Sequence, residues 1–415
     1  MKYYLQKKIN FDLKYLLDVL ILISPIFYIL GSPFVNFLTL LCSIFFIILA
    51  KRENKFLVFK EKFILIILTF YFYILINSFF ATNFLSSLKT SFFFIRFILF
   101  FGCIYFFAFQ RITLEKVFIF WILIIFLTKV DILIQFFFGK DIFGYPDHGD
   151  RFAGFFGDEL IAGSYLQKFC IILMSYFLYN FFKNKKKIFQ LILFIISSTI
   201  IILITGERMA FLLFCFSLIL TLIFLKKYKI LILTLFLSLI ILINFNSSHV
   251  QNRYGDFKNI ILNFEDSTYG KLYSSGYRLW KKNPLNGVGV KNFRVDCDIE
   301  LNDLRPENGH QLCSTHPHNL YLELMSETGL LGLFLFIAFN LIIVLKSFKF
   351  LFTKNQIDKI EYYLFICSFS LYLAYIWPLS SNGSFFTTWN GSQYWLVLGL
   401  MFNSLNKLGN YKTLK

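Results

Sequence analysis

The sequence has 415 residues, of which 57% are hydrophobic and 59 are phenylalanine. A soluble globular domain contains far fewer apolar residues, and the apolar blocks here are about 17–25 residues long, the length that crosses a bilayer as a helix. The composition therefore excludes an ordinary soluble domain and indicates an integral membrane protein. The formal net charge of +17 does not indicate nucleic-acid binding, because Lys and Arg collect in the cytoplasmic loops of membrane proteins.

Taken in chain order, the apolar blocks predict an all-α fold with about 12 transmembrane helices in a single polytopic domain over residues 1–415. Helices are expected because lipid offers backbone amide and carbonyl groups no other partner. The first block lacks a small-residue cleavage site, so we expect it to be retained as a span. The predicted spans cover residues 15–31, 34–50, 63–80, 91–109, 117–138, 160–182, 188–204, 209–225, 229–245, 319–345, 360–378 and 391–406.

The distribution of basic residues predicts the orientation of these spans. If the N-terminus is inside, the inside segments hold about 25 Lys and Arg. The short outside segments then hold about four, which are Lys89, Lys140, Arg151 and Arg208. Since basic residues favour cytoplasmic loops, we expect both termini to lie in the cytoplasm.

One outside segment, residues 246–318, is much longer than a turn and carries nine basic and eight acidic residues. A loop of this length without structure is unusual, so we expect short helices within it. One of them should lie near 267–282 and end at Asn283, because a residue that precedes proline disfavours the helical conformation. The Gly-Val-Gly sequence at 287–289 is too short for a dinucleotide fingerprint and predicts a turn.

Arg208 is the first candidate functional residue. It lies in a tight outside Thr-Gly-Glu-Arg turn at the start of a predicted span. The free N–H groups of a helix N-terminus attract anions, and arginine binds phosphate with a permanent, bidentate charge. The alternative is an arginine that extends to the membrane interface or pairs with Glu207.

Arg278 lies in the long outside loop between two aromatic residues, Tyr277 and Trp280. Flat aromatic faces suit the C–H surfaces of sugars, but they also suit a membrane interface. Local sequence therefore allows both a glycan-binding helix and an interfacial helix.

His318 lies next to the start of a predicted span, where a helix N-terminus disfavours the imidazolium form. A neutral imidazole is what a general base requires. His316 lies two residues earlier and His310 lies in the same loop, so chemistry alone leaves the base open. The alternative is a hydrogen-bonded interfacial histidine. His316 and His318 lack partners at helical spacing for a metal, so no metal site is predicted.

Four ionisable residues fall inside predicted spans, in the half of the bilayer nearer the outside: Arg96, Lys129, Asp131 and Lys168. Such residues are costly in lipid and are functional candidates by default. They could line a polar cavity that opens outward. The alternative is pairing between helices, for example of Arg96 with Asp131.

Cys297 and Cys313 lie in the long outside loop, whereas the other five cysteines lie inside apolar blocks. A disulfide is permitted outside a bacterial inner membrane. We predict that this pair forms one and shortens the chain leading to His316 and His318.

Together these residues resemble the O-antigen ligase and O-antigen polymerase superfamily. The order, spacing and outside placement of several short motifs carry the resemblance. These motifs are Arg278-Leu279-Trp280; Asn283-Pro284-Leu285-Asn286-Gly287-Val288-Gly289 with Phe293; His318-Asn319-Leu320-Tyr321 with Glu327-Thr328-Gly329-Leu330-Leu331-Gly332; and Thr205-Gly206-Glu207-Arg208.

The resemblance implies a metal-independent, inverting glycosyltransferase of the bacterial inner membrane, with a periplasmic active site and no cofactor. The implied donor is a glycan on undecaprenyl pyrophosphate, and the acceptor of a ligase is a sugar of lipid A–core. Arg208 and Arg278 would bind the pyrophosphate and stabilise the leaving group. His318 would activate the acceptor hydroxyl, with His316 as the alternative base.

Four further residues are assigned to substrate binding: Tyr277, Trp280, Asn319 and Arg96. The expected partners are the lipid-linked donor, lipid A–core or another glycan acceptor, and membrane lipids, with no nucleic acid. An O-antigen polymerase and a protein O-oligosaccharyltransferase share the donor chemistry and stay open. A secondary transporter is disfavoured, because transporters place their polar sites at broken helices near the midplane.

Overall fold

The structure is a computed structural model that describes residues 13–55, 62–226, 248–255, 261–300, 313–353, 357–381 and 383–410. Within these ranges the chain forms helices and no named strand, which confirms the all-α prediction for this part of the chain. A helical stretch over 13–22 comes first. The following helices are α1 Ser24–Ile29, α2 Ser32–Arg52, α3 Lys62–Asn77, α4 Phe84–Phe93, α5 Ile95–Phe107, α6 Leu114–Phe138, α7 Ala162–Lys183, α8 Ile188–Ile204, α9 Arg208–Phe224, α10 Ser248–Gly255, α11 Thr268–Lys282, α12 Phe293–Glu300, α13 Leu320–Thr353, α14 Ile360–Tyr375 and α15 Thr388–Asn410.

Six helical segments in the described residues are long and apolar enough to cross a membrane, and α9 and α14 are shorter apolar helices. The number of 12 spans stays a prediction, and the predicted span 229–245 lies outside the described residues. The six segments are Ser32–Arg52, Lys62–Phe80, Phe84–Phe107, Leu114–Phe138, Lys185–Ile204 and Leu320–Thr353.

Helix α15 lies among α2, α5 and α14, and aromatic side chains fill the contacts. The ring of the fully buried Trp395 packs on Phe101 and Phe339, at centroid distances of 6.0 and 5.9 Å. At the start of α15 the Trp389 indole donates to the Tyr28 carbonyl at 3.0 Å. Since helices in lipid associate mainly by van der Waals packing and hydrogen bonds, these contacts hold α15 against its neighbours.

The helix predicted near 267–282 is confirmed as α11, Thr268–Lys282. The Ser267 side chain caps its start by accepting a hydrogen bond from the Gly270 amide at 3.1 Å. The helix ends before Asn283, whose φ of −130° and ψ of 65° are not helical, as expected for a residue before proline. Its buried side, with Leu272 and Leu279, packs against α13.

A break in α13 receives the chain that follows α11. At Gly329 the backbone leaves the helical conformation, with φ 63° and ψ −169°, and residues 284–289 run alongside this break. We call this contact between 284–289 and 326–331 the glycine interlock. Its backbone hydrogen bonds are Val288 N to Ser326 O at 2.9 Å, Gly289 N to Glu327 O at 2.8 Å, Leu330 N to Pro284 O at 2.9 Å and Leu331 N to Leu285 O at 3.3 Å.

Two glycines make this close approach possible. A Cβ at Gly287 would lie 2.5 Å from the carbonyl carbon of Glu327, and one at Gly329 would lie 2.1 Å from the Leu285 oxygen. Both residues also have positive φ values, 68° and 63°, which side chains disfavour. The turn predicted at 287–289 is therefore one half of an interlock whose other half is the break in α13.

Replacement of Gly329 by alanine should open the interlock. A side chain in this region of positive φ and extended ψ costs about 1–3 kcal/mol, and the contact with Leu285 adds to that cost. We expect Gly329→Ala to lower the thermal unfolding temperature of the purified protein clearly. Gly409→Ala is the control, since nothing lies within 4 Å of a Cβ there. Equal unfolding temperatures for the two variants would contradict the interlock.

Candidate functional site

The turn that carries Arg208 is held by a second arginine. Arg208 is the first residue of α9, and its Nε donates to the Arg253 carbonyl at 2.6 Å. In return, the Arg253 Nε donates to the Gly206 carbonyl at 3.0 Å. These reciprocal bonds join α10 to the turn, so two guanidinium groups lie at one helix N-terminus. The sequence analysis did not single out Arg253.

Glu207, the neighbour of Arg208, is hydrogen-bonded to the start of α7. Its carboxylate accepts hydrogen bonds from the amides of Gly163 at 2.6 Å and Ser164 at 3.1 Å. These are free amides of the first turn of α7, where a carboxylate is favourable. Glu207 therefore caps a neighbouring helix, a role that the sequence did not predict.

Arg151 is the third arginine at this turn. A Cβ on Gly206 would lie 3.2 Å from its Cγ, and its Nη2 donates to the Leu160 carbonyl at 3.1 Å. Burial lowers the pKa of Arg151, and it interacts electrostatically with Glu207, Arg253 and Tyr269. In the sequence, Arg151 stood out only as one of the few basic residues in predicted outside loops, and no role was predicted for it.

The two candidate bases lie in contact in the approach to α13. The ring centroids of His316 and His318 are 4.1 Å apart, and the Tyr269 ring meets His318 edge-on at 5.9 Å. Burial first, and then His316, lower the pKa of His318 to about 4, against an opposing effect of Glu323. The ring is therefore neutral at physiological pH, as expected, but burial rather than the helix N-terminus is the main cause.

Asn319 orients this histidine segment. Its Oδ1 accepts from the amides of Tyr321 and Leu322 at 3.0 and 3.1 Å, which caps α13. Its Nδ2 donates to the carbonyls of Pro378 and Ser380 at 2.8 and 3.3 Å. Both the oxygen and the nitrogen of the side-chain amide are thus hydrogen-bonded to protein backbone, and substrate binding by Asn319 stays a prediction.

Arg151 and Tyr269 lie between the two halves of the site. Arg151 packs on the Arg208 turn, and the Tyr269 ring meets His318 edge-on. The interaction between these two residues is electrostatic and weak, since Tyr269 is the smallest of the influences on the pKa of Arg151. Neither residue was a predicted site residue.

Arg278 lies elsewhere on α11. It is exposed and lines a groove of about 540 Å³ together with Phe264, Glu265, Gly270, Lys271, Ser274 and Ser275. Nine positions, or about two and a half turns of an α-helix, separate it from Tyr269. The structure therefore places Arg278 on the face of α11 opposite to the one that meets His318.

The aromatic neighbours of Arg278 pack on each other. The rings of Tyr277 and Trp280 are 5.4 Å apart, and the Lys281 ammonium lies 5.1 Å from the Tyr277 ring centre. The Trp280 indole donates to the Pro284 carbonyl at 3.1 Å. Tyr277 stays 44% exposed, so its ring remains accessible to a glycan.

The example pairing of Arg96 with Asp131 is wrong. Arg96 donates to the Phe93 carbonyl and to the Thr388 hydroxyl, both at 3.0 Å. Asp131 instead accepts from the Ile142 amide at 2.9 Å. Each side chain therefore bonds a loop or a helix start rather than the other, although Arg96 Nε and Asp131 Oδ2 have no hydrogen-bond partner among the described residues.

The disulfide prediction is confirmed: Cys297 and Cys313 are bonded, with their Cα atoms 5.7 Å apart. Cys297 packs with Leu279, Val288 and Phe293 in a small core of the outside loop. The bond therefore ties α12 and the end of α11 to the chain that leads to the histidines. Among the described residues, no group of three His, Cys, Asp or Glu side chains could hold a metal ion.

Loss of this bond should loosen the histidine segment. The bond closes a loop with a sequence separation of 16, worth about 3 kcal/mol in the loop-entropy estimate. We expect Cys297→Ser with Cys313→Ser to lower the thermal unfolding temperature, and peptide mapping without reductant to recover the linked peptides from wild type. The buried Cys367→Ser variant is the control. Two free thiols in the wild-type map would rule the bond out.

Residues 191–337 match a family model described as O-antigen ligase, and the matched segment contains Arg208, Arg278 and His318. No curated protein gives a significant match to the chain. The family match confirms the resemblance seen in the motifs and supports a relation of the chain to the O-antigen ligase-like superfamily.

Proposed function

We propose that this protein transfers a polysaccharide from undecaprenyl pyrophosphate to an acceptor hydroxyl, and that the acceptor is a sugar of lipid A–core. The family match supports a lipid-linked glycan donor and a glycan acceptor in general. The observation that supports the rest is the position of Tyr269, whose ring meets His318 edge-on at 5.9 Å and which is the weakest of the groups that shift the pKa of Arg151 beside the Arg208 turn.

The arginine turn is the proposed donor site. A diphosphate at this turn would meet Arg208 at a helix N-terminus, where backbone amides and the helix dipole also favour an anion. Arginine stays charged when partly buried and can bind two phosphate oxygens at once. In our proposal these fixed positive charges stabilise the leaving undecaprenyl pyrophosphate, the role that a metal ion has in other transferases.

His318 is the proposed base. Its neutral ring would take the proton of the acceptor hydroxyl while the hydroxyl oxygen attacks the anomeric carbon of the donor. The bond from that carbon to the phosphate oxygen breaks, and the lipid pyrophosphate leaves with the bonding electrons. Attack from the side opposite to the leaving group inverts the anomeric configuration. His316 remains the alternative base, because the two rings are in contact.

The remaining site residues have separate proposed roles. Tyr277 and Trp280 would stack on sugar rings. Substrate binding by Asn319 and Arg96 stays a prediction, since both side chains bond protein groups in this structure. In this structure Arg278 lies across α11 from Tyr269, in the groove that it shares with Lys271, and its contact with the diphosphate stays a prediction. We place the site on the periplasmic face of the inner membrane, with both termini cytoplasmic, on the evidence of the basic-residue distribution.

The acceptor distinguishes the alternatives within the superfamily. Purified protein in proteoliposomes should be given a defined lipid-linked donor with lipid A–core, lipid-linked glycan and peptide as competing acceptors. Transfer to lipid A–core supports the ligase. Extension of the lipid-linked glycan would identify a polymerase, and transfer to peptide a protein O-oligosaccharyltransferase. No transfer to any acceptor, with movement of glycan across the membrane, would mean a transporter.

Substitutions in the site should remove transfer without unfolding the protein. We expect His318→Ala to reduce the rate by about 10²–10⁴-fold, the range for a lost general base. Arg208→Ala and Arg278→Ala should each cost about 10²-fold or more, as lost charge stabilisation does. Lys140→Ala, an exposed outside cation, is the control. Full activity in His318→Ala with loss of activity in His316→Ala would identify His316 as the base.

The pH profile should reflect the low basicity of His318. A base is active only when unprotonated, and the pKa of His318 is about 4. The value of kcat/KM, which reports the free enzyme, should therefore stay level from pH 8 to about 5 and fall as the pH approaches 4. Samples returned to pH 7 must regain activity. A fall centred near pH 6.5, the value of an ordinary histidine, would contradict this assignment.

A further inference from the structure

The short helix α10 is held against the Arg208 turn by hydrogen bonds at both of its ends. At its start, the His249 Nδ1 lies 2.9 Å from the Asp150 Oδ1, in the loop that precedes α7. At its end, the Tyr254 hydroxyl donates to the carbonyl of Leu203, near the end of α8, at 3.3 Å. These contacts fix the position of α10 beside the turn.

Arg253 lies on α10 one helical turn after His249, and the fold uses only part of its side chain. Its carbonyl accepts from the Arg208 Nε at 2.6 Å, and its own Nε donates to the Gly206 carbonyl at 3.0 Å. The two terminal nitrogens of its guanidinium have no hydrogen-bond partner among the described residues. The side chain is half-buried, so a ligand at the turn could still reach these two nitrogens.

The carboxylates next to the turn are bonded elsewhere. Glu207 accepts from two amides in the first turn of α7, and Asp150 bonds the histidine ring of α10. Within the described ranges, neither Arg151 nor Arg253 forms an ion pair with a carboxylate. Both nevertheless lie at the turn where α9 begins with Arg208. Since like charges repel at short range, arginines gathered in this way favour an anion among them.

The arrangement suits an anion with charges on two adjacent groups. A guanidinium can donate to two phosphate oxygens at once, and the free amides at the start of α9 also favour phosphate. A diphosphate has oxygens on two phosphorus atoms, so it can contact Arg208 and Arg253 together. A monophosphate offers fewer oxygens over a shorter span and should bind more weakly.

We propose that Arg253 is a further residue of the donor site, and that its terminal nitrogens donate to the diphosphate beside Arg208. The identity of the donor rests on the proposed function. When the bond from the anomeric carbon to the phosphate oxygen breaks, its electron pair stays on that oxygen, and the leaving diphosphate becomes more negative. Arg253 then binds the leaving group more strongly than the intact donor, which is the condition for an effect on the rate.

Two substitutions separate the charge of Arg253 from its bond to Gly206. Arg253→Gln removes the charge but keeps a nitrogen at the position of Nε, whereas Arg253→Lys keeps the charge and loses that N–H. Each variant in nanodiscs is titrated with radiolabelled undecaprenyl pyrophosphate. Arg253→Gln should bind the lipid about tenfold more weakly or worse, the effect of one lost charge-assisted hydrogen bond. Arg253→Lys should bind clearly better than Arg253→Gln, because an ammonium still binds phosphate.

Lys140→Gln removes a charge from an exposed position and is the matched control, which should bind like wild type. A role limited to holding α10 predicts the reverse order, with Arg253→Gln close to wild type and Arg253→Lys impaired. That order, or an equal loss in both variants, would overturn the proposal.

A measurement on the wild-type protein covers the case in which a variant does not fold. Phenylglyoxal modifies accessible arginine side chains, and peptide mass spectrometry locates them. Undecaprenyl pyrophosphate should lower the modification of Arg253 several-fold, undecaprenyl phosphate should lower it less, and the exposed Arg111 should be unaffected. Undiminished modification of Arg253 at saturating lipid would overturn the proposal, as would absence of modification without lipid.

The transfer assay judges the proposed function separately. If wild type binds undecaprenyl pyrophosphate through Arg253 but transfers glycan to no acceptor, the proposed function fails and the diphosphate site remains. If wild type transfers glycan and Arg253→Gln binds the lipid as tightly as wild type, the proposal for Arg253 fails alone.

Discussion

The glycine interlock is the constraint on which the rest of the structure depends. A helix in lipid cannot be broken cheaply, because every backbone group must find a partner. At Gly329 the chain breaks α13 and supplies those partners from residues 284–289. The same contact fixes the end of α11 and brings the Lys291 amide to the Glu327 carboxylate. Further contacts from α3 hold it, because Asn77 donates to the Asn286 carbonyl at 2.7 Å and Tyr73 to the Thr328 carbonyl at 2.7 Å.

The interlock changes the meaning of the motifs that carried the family resemblance. Most residues of 283–289 and 327–332 stabilise the fold rather than form the substrate site, since their backbone atoms are hydrogen-bonded to each other. The proposed catalytic residues lie at the ends of the segments that the interlock holds. His318 precedes α13, and Tyr269 of α11 meets its ring edge-on. The interlock therefore holds the two helices between which the proposed base lies.

Much of this fold could be predicted from sequence, because the signals were strong and local. Apolar block length predicts most helices, a proline predicts the end of α11, and an isolated pair of outside cysteines predicts the disulfide. The contacts between distant segments could not be predicted in the same way. In the sequence, Glu207 is a candidate partner for Arg208. In the structure its carboxylate instead accepts a hydrogen bond from the start of α7. Arg253 and Tyr269 resemble ordinary loop residues until the fold brings them to the site.

In our proposal the Arg208 turn and His318 form one site for a lipid diphosphate and its acceptor. A structure of the protein in nanodiscs with bound undecaprenyl pyrophosphate is the sharpest test. We expect diphosphate density against the Arg208 and Arg151 side chains, with His318 facing the space beside it. Density confined to the groove of Arg278 and Lys271 would overturn the proposal, because the leaving group would then lie on the far face of α11 from the base.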